Sequence, residues 1–224
     1  MKQTFQQIKK DVEAVALLHS EDTEIKHHYF ITDPKTKHFN FRYQLLESYK
    51  SGRKSTNTMD RLFLAAVTHN IEEIIQDKVT KSLKYLESDD VIAIKSSYLE
   101  SKGEKTVIVS SDKDMQIIAD TINPLTLQYK DRDDYKLWEL CLIGDKADSI
   151  PAAGGYAEAK TKKLKDNATA KEFESKVRSI YKEKGEDIEL KIDLLKPLTY
   201  DQVTIKEGEV KEIKLKSNNK INII

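Results

Sequence analysis

Several things are scarce in this 224-residue chain, and each scarcity removes a class of protein. There is one cysteine, Cys141, so neither an intramolecular disulfide nor a zinc site built on paired thiolates is available. Its place between Leu140 and Leu142 reads as core. The five histidines, His19, His27, His28, His38 and His69, have no metal-ligand spacing. Neither a P-loop nor a Gly-x-Gly-x-x-Gly stretch occurs. Long apolar runs are missing too: Phe63 to Val67 is far too short to cross a bilayer. Lys2, Lys9, Lys10 and Asp11 interrupt any apolar core behind Met1, so the expectation is a reduced, cytoplasmic protein without a membrane partner. Net charge is absent as well, with 38 basic residues balanced by 38 acidic ones.

That balance hides local imbalance. Lys35 to Arg61 carries seven cations against two acids, and Lys160 to Lys184 nine against four. Between them the acids gather around Glu87, Asp112, Asp133 and Asp145. Basic zones flanking acidic clusters suit a protein that grips a polyanion and holds metal ions between the grips; an ordinary lysine-rich surface would look the same.

Apolar residues make up only 38%, but they recur with regular periods. Phe5, Ile8, Val12, Val15 and Leu18 predict a first helix, and Leu62 to Ile75 a second. His28–Thr32 predicts a short strand stopped by Asp33-Pro34, and Lys78–Tyr85 a further strand. Ser88 or Asp89 caps a helix through Leu99 that Gly103 ends. Thr106–Ser110 reads as a buried strand, followed by a short helix over Met115–Ala119 and a strand near Leu125–Tyr129. This alternation implies an α/β layer with a largely parallel sheet. Beyond residue 133 helical text prevails around Leu137 to Cys141 and Glu158 to Lys184, and the tail from Val203 reads as a frayed strand or a partly disordered segment.

The carboxylates fall where such a sheet would collect them. Asp33 ends a strand, Glu87, Asp89 and Asp90 open a helix, Asp112 and Asp114 follow the Thr106–Ser110 strand, and Asp145 and Asp148 occupy a turn. Strand carboxyl ends share one edge of a parallel sheet, and sites form there. Eight carboxylates at one edge require neutralising cations, and all-oxygen donors favour Mg²⁺ or Mn²⁺. Two such ions about 4 Å apart make a phosphodiester-cleaving centre. Taken singly, each cluster is also ordinary helix-capping or turn chemistry.

The segments Ser110-Ser111-Asp112-Lys113-Asp114-Met115-Gln116 and Gly144-Asp145-Lys146-Ala147-Asp148-Ser149-Ile150-Pro151 resemble two signatures of the 5′-nucleases. This is the flap endonuclease and 5′–3′ exonuclease family, bacteriophage members included. Glu87-Ser88-Asp89-Asp90 resembles its acidic segment, and Asp33, Phe41-Arg42 and Tyr49-Lys50-Ser51-Gly52-Arg53 the stretch leading into its arch. The resemblance implies a PIN-like α/β core with a mostly parallel central sheet over residues 1–133, including a short arch near 43–60. It implies a helix–three-turn–helix DNA-binding region and tail over 134–224. It assigns two Mg²⁺ or Mn²⁺ ions to Glu87, Asp89, Asp90, Asp112, Asp114, Asp145 and Asp148, and catalytic roles to Asp33, Lys50 and Arg53. DNA contacts would fall to Tyr49 (stacking on a terminal base), Arg42, Lys54, Gly154, Gly155, Lys160, Lys162 and Lys163, with a K⁺ ion at the helix–three-turn–helix. The implied substrates are 5′ ends, flaps and nicked or branched DNA, with RNA–DNA hybrids and replication partners left open.

Two departures qualify the match. Ala152, Ala153 and Ala157 stand where the family's grip carries further glycines. The family's first strand, with its metal-binding aspartate, has no counterpart ahead of the helix at residues 4–19. A reduced site, one half of a split enzyme, or a branched-DNA binder that does not cut would each follow from that. A PIN-like ribonuclease is the remaining reading, and the Gly144–Pro151 segment argues against it.

Overall fold

The computed structural model describes residues 2–20, 25, 29–32, 40–52, 79–81, 83–217 and 220–222. The helix expected over Leu62–Ile75 lies outside them.

The apolar period of the N-terminal residues yields helix α1 (Lys2–Leu18), which packs against the strand at Asp120–Ile122. Strand β1 (Phe30–Thr32) runs parallel to β2 (Val79–Lys81), with α2 (Arg42–Leu45) between them in the chain. Helix α3 (Ser88–Glu100) leads to β3 (Val107–Val109), which pairs in parallel with β4 (Asp120–Ile122). Strand β5 (Tyr129–Lys130) closes on β4 in the antiparallel sense.

Here the structure corrects two expectations. The strand lies at Asp120–Ile122, not near Leu125, because residues 123–128 form a turn. Asn123 Oδ1 accepts the amides of Leu125 and Thr126, Leu127 takes a left-handed φ of 56°, and Leu125 is left 81% exposed. The sheet structure is also mixed rather than mostly parallel. Among the described residues, the two parallel pairs belong to separate sheets.

Helices α4 (Lys136–Ile143), α5 (Glu158–Lys165), α6 (Ala170–Lys184) and α7 (Ile188–Leu195) follow. Phe173, Val177 and Tyr181 recur along one face of α6, where they share a core with Leu142 of α4 and with Ile108 and Met115. One apolar cluster therefore spans both sides of residue 133.

The tail is a finished antiparallel meander, not a frayed end: β6 (Val203–Lys206), β7 (Glu209–Lys214) and β8 (Lys220–Asn222). Glu207 and Gly208, both at positive φ, supply the two-residue hairpin turn. Val210, Ile213 and Ile221 then bury against Phe41, Leu86 and Ile94, which accounts for their alternation with charged residues. No helix among the described residues is long and apolar enough to cross a membrane.

Candidate active site

Helix α3 begins where the chain most needs negative charge, with Glu87 as its N-cap and Asp89 and Asp90 in its first turn. The two ends of this acidic segment do different things. Asp90 is fully buried and receives a two-pronged grip from Arg42, whose Nη1 and Nη2 each donate at 2.8 Å. Its remaining capacity goes to the amides of Glu87 and Leu198, both at 3.1 Å. Arg42, 4% exposed, also donates to the carbonyls of Leu194 and Lys196. Burial works against the guanidinium's charge, but Asp90 outweighs it and the pKa rises. Arg42 is thus sealed inside and does not face DNA as expected. Asp90, expected at or near a metal, has its oxygens committed to protein donors. Asp89 sits half-buried in the same turn.

Glu87 faces a more open setting. Lys50 Nζ hydrogen-bonds its Oε1, Tyr49 OH donates to its Oε2 at 3.1 Å, and Arg42 Nη1 stands 3.8 Å away. Asp148 arrives from another part of the chain: its Oδ2 lies 3.2 Å from Tyr49 OH and 3.8 Å from Lys50 Nζ. The loop that carries it is built tightly. Gly144 has φ +72°, and a Cβ there would lie 2.5 Å from the Ile150 carbonyl oxygen. Asp145 and Ile150 exchange backbone hydrogen bonds, and Asp145 Oδ1 accepts the amides of Ala147 and Asp148. Lys50, itself at φ 57°, donates its amide to the Asp148 carbonyl at 2.8 Å, and Gly52 donates to Ser149 Oγ. Residues 49–52 and the 145–150 loop are therefore laced together, backbone as well as side chain.

Tyr49 is 2% exposed. Burial raises the phenol pKa, with Glu87 and Asp148 adding to the effect over the opposing pull of Arg42, so the hydroxyl keeps its proton. A ring in this position has no face to offer a terminal base, contrary to the stacking role expected of it.

A second acidic group follows β3. The Asp112 amide donates to Ser110 Oγ, and Asp112 Oδ1 caps the short 3₁₀ turn Lys113–Ile117 by accepting from the Asp114 amide at 2.8 Å. Asp114 pairs with Lys136 at the start of α4, 3.3 Å away. Burial lifts the Asp114 pKa; Lys136 opposes this, and Asp112 and Asp145 reinforce it. The 145–148 turn thus joins two groups. Asp145 lies within electrostatic reach of Asp114, and Asp148 shares Tyr49 and Lys50 with Glu87.

For a hard divalent ion the donor set fits in kind, being all carboxylate oxygen. Among the described residues no three of these groups stand close enough to hold one ion, and Lys50 and Lys136 are the cations paired with Glu87 and Asp114. Asp33, Arg53 and Lys54 lie outside the described residues.

The remaining predicted positions lie along the far side of the loop. Gly155 is exposed with φ +81°, and Gly154 is exposed beside the Lys184 ammonium. Lys160 donates to the Gly155 carbonyl and covers the Tyr156 ring at 4.0 Å, while Lys162 and Lys163 point their charge into solvent. Two residues went unnoticed in the sequence. Lys136 is the counter-ion of Asp114. Lys191, buried on α7, donates to the Pro151 carbonyl beneath the loop, with its pKa depressed by burial. Nothing in the local pattern marks either, since each partner is distant in the chain. Cys141 is core, as read: burial drives its thiol up to about 12.

Comparison with known proteins agrees with this architecture. A 5′–3′ exonuclease of Buchnera aphidicola subsp. Schizaphis graminum is 34% identical over 126 residues, covering 50% of this chain and 43% of the relative. The chain thus spans under half the length of that curated relative. Among solved structures, the bacteriophage T5 protein co-crystallised with metal ions superposes with a TM-score of 0.59 at 14% identity, covering 84% of this chain and 82% of that one. The T5 flap endonuclease in a pseudo-enzyme–product complex with DNA and metal ions gives 0.57, also at 14% identity, covering 84% and 80%. The model of the 5′–3′ exonuclease N-terminal resolvase-like domain matches residues 5–140, well over half of the chain, and the protein belongs to that family.

Proposed function

We propose that the chain hydrolyses DNA phosphodiesters at 5′ ends or flaps, as a 5′–3′ exonuclease or flap endonuclease dependent on Mg²⁺ or Mn²⁺. The observation that carries this reading is the convergence of Lys50, Glu87 and Asp148, from three distant segments, on one half-open spot. Lysine ammonium groups suit a phosphate whose charge grows in the transition state. The all-oxygen acids around it suit divalent ions, which when bound would activate water and stabilise the leaving oxygen. Glu87, Asp148, Asp112, Asp114 and Asp145 are the candidate holders, with Asp89 and Asp33 beside them. Lys50 and Arg53 then serve the scissile phosphate.

The same reading gives residues 1–133 the nuclease role and 134–224 the duplex grip. Phosphates would meet Gly154, Gly155, Lys160, Lys162 and Lys163, where a helix N-terminus and exposed lysines coincide. A K⁺ ion, RNA–DNA hybrids and replication partners belong to this proposal as its outer members. The T5 flap endonuclease, solved in complex with DNA and metal ions, supports it.

The test is a labelled 5′-flap duplex incubated with the folded chain and Mg²⁺ or Mn²⁺, with Glu87→Gln and Asp112→Ala as controls. Metal-dependent cleavage that the controls lose while still binding the flap is expected. A folded chain that binds the flap and leaves it intact even with Mg²⁺ or Mn²⁺ present would overturn the nuclease reading in favour of a branched-DNA binder.

A further inference from the structure

A phenol has a single proton to donate. Tyr49 nevertheless directs its hydroxyl at two carboxylates, Glu87 Oε2 at 3.1 Å and Asp148 Oδ2 at 3.2 Å. Those acids belong to different parts of the fold, the cap of α3 and the 145–150 loop, and each would repel the other without something between them. Two features hold the ring where it can act on both. The edge of Tyr43 packs on it at 5.3 Å between centroids, and the Lys50 ammonium lies 5.0 Å from its centre. Both ring contacts also close Tyr49 to an incoming base, consistent with its burial.

We propose that Tyr49 is a positioning residue whose hydroxyl draws Glu87 and Asp148 to one point beside Lys50, so that the acidic pair exists only while residues 49–52 are seated on the loop. The inference rests on the reading of Glu87 and Asp148 as working acids of the nuclease site. It takes Tyr49 out of direct contact with DNA and makes its oxygen, not its ring, the part that matters. The hydroxyl shares itself between the two acceptors, and the Lys50 ammonium supplies the remaining positive charge.

Tyr49→Phe isolates the oxygen, because the ring and its packing stay. The full-length variant is compared with the unsubstituted chain in three measurements: Mn²⁺ affinity by calorimetry, flap affinity in EDTA, and single-turnover cleavage of a 5′-flap. Expected are Mn²⁺ affinity weakened severalfold and cleavage slowed about tenfold or more, since misplacement of a reacting group by about 1 Å has such effects. Flap affinity stays within about twofold, as befits a buried group with no DNA contact. Mn²⁺ affinity and cleavage both unchanged would overturn the proposal, as would flap affinity falling in step with cleavage. Asp148→Asn approaches the same contact from its other end without touching the ring. The double variant is expected to be no worse than the worse single one, and full additivity would sink the idea. If the unsubstituted chain cuts nothing, the nuclease reading fails, while the Mn²⁺ measurement continues to judge the hydroxyl on its own.

Discussion

Glu87 and Asp90 stand one turn apart at the head of the same helix, each meets a cation from residues 42–50, and the two pairs have opposite characters. Asp90 and Arg42 are sealed, with every accessible lone pair and nearly every guanidinium N–H matched to protein. Glu87 and Lys50 remain partly exposed, and Glu87 shares a tyrosine hydroxyl with a second acid. A sealed pair is architecture, because a charge that cannot reach water can only hold other parts in place. The sealed pair also ties α2 and α3 to residues 194–198.

The contrast can be broken most forcefully at Arg42. Its removal leaves the buried Asp90 carboxylate without its counter-ion and takes the guanidinium donors from the carbonyls of Leu194 and Lys196, and Arg42→Ala is expected to cost about 3–5 kcal/mol in urea denaturation. A Lys at that position cannot restore the two-pronged grip and should recover little of the loss. Next in size is Gly144→Ala, which attacks the loop delivering Asp148 to the open pair. With φ at +72° and backbone atoms 2.5–2.7 Å from the new Cβ, a loss of more than about 2 kcal/mol is expected, together with slower cleavage. Lys50→Met should do the reverse of Arg42→Ala. Stability is expected to stay within about 1 kcal/mol of the unsubstituted chain, and flap cleavage to fall about 100-fold or more. Should Lys50→Met unfold the protein as Arg42→Ala does, the distinction between the pairs collapses.

The smallest effect concerns a third kind of buried cation, one facing a carbonyl instead of a carboxylate. Burial lowers the pKa of Lys191 below its ordinary 10.5. Between the depressed folded value and 10.5 the unfolded chain holds more protons than the native one, so stability rises with pH across that window. Below it the native state bears the full cost of a buried ammonium. Lys191→Met removes this cost while leaving the Pro151 carbonyl unmatched, and is expected to flatten the alkaline part of the stability–pH curve. Thermal melts from neutral to alkaline pH would check it.

How far the sequence could be read depends on how far apart the interacting residues lie. The periodic stretches gave α1, α3 and α4, and the short run Thr106–Ser110 contained β3, because these rest on spacing within a few residues. The Asn123 turn was legible only in hindsight: Asn123-Pro124 announces it, yet the apolar Leu125 and Leu127 suggested a strand. The C-terminal meander was missed because its apolar residues alternate with many lysines and glutamates, and their burial depends on Phe41 and Leu86, far back in the chain.

The site divides in the same way. By itself the sequence determined which residues could do the work: acids at helix starts and after strands, in an order that resembles one family, with lysines and a tyrosine nearby. Local rules of capping, turns and periodicity are written in neighbouring residues, and those rules placed Glu87, Asp112 and Asp145 at the ends of elements. Only the tertiary structure decided which acid turned inward to Arg42 and which outward to Lys50, and that Tyr49 would be shut away between two carboxylates. Burial and partner choice are properties of segments meeting across dozens of residues, and a charge takes its role from the environment in which it ends up.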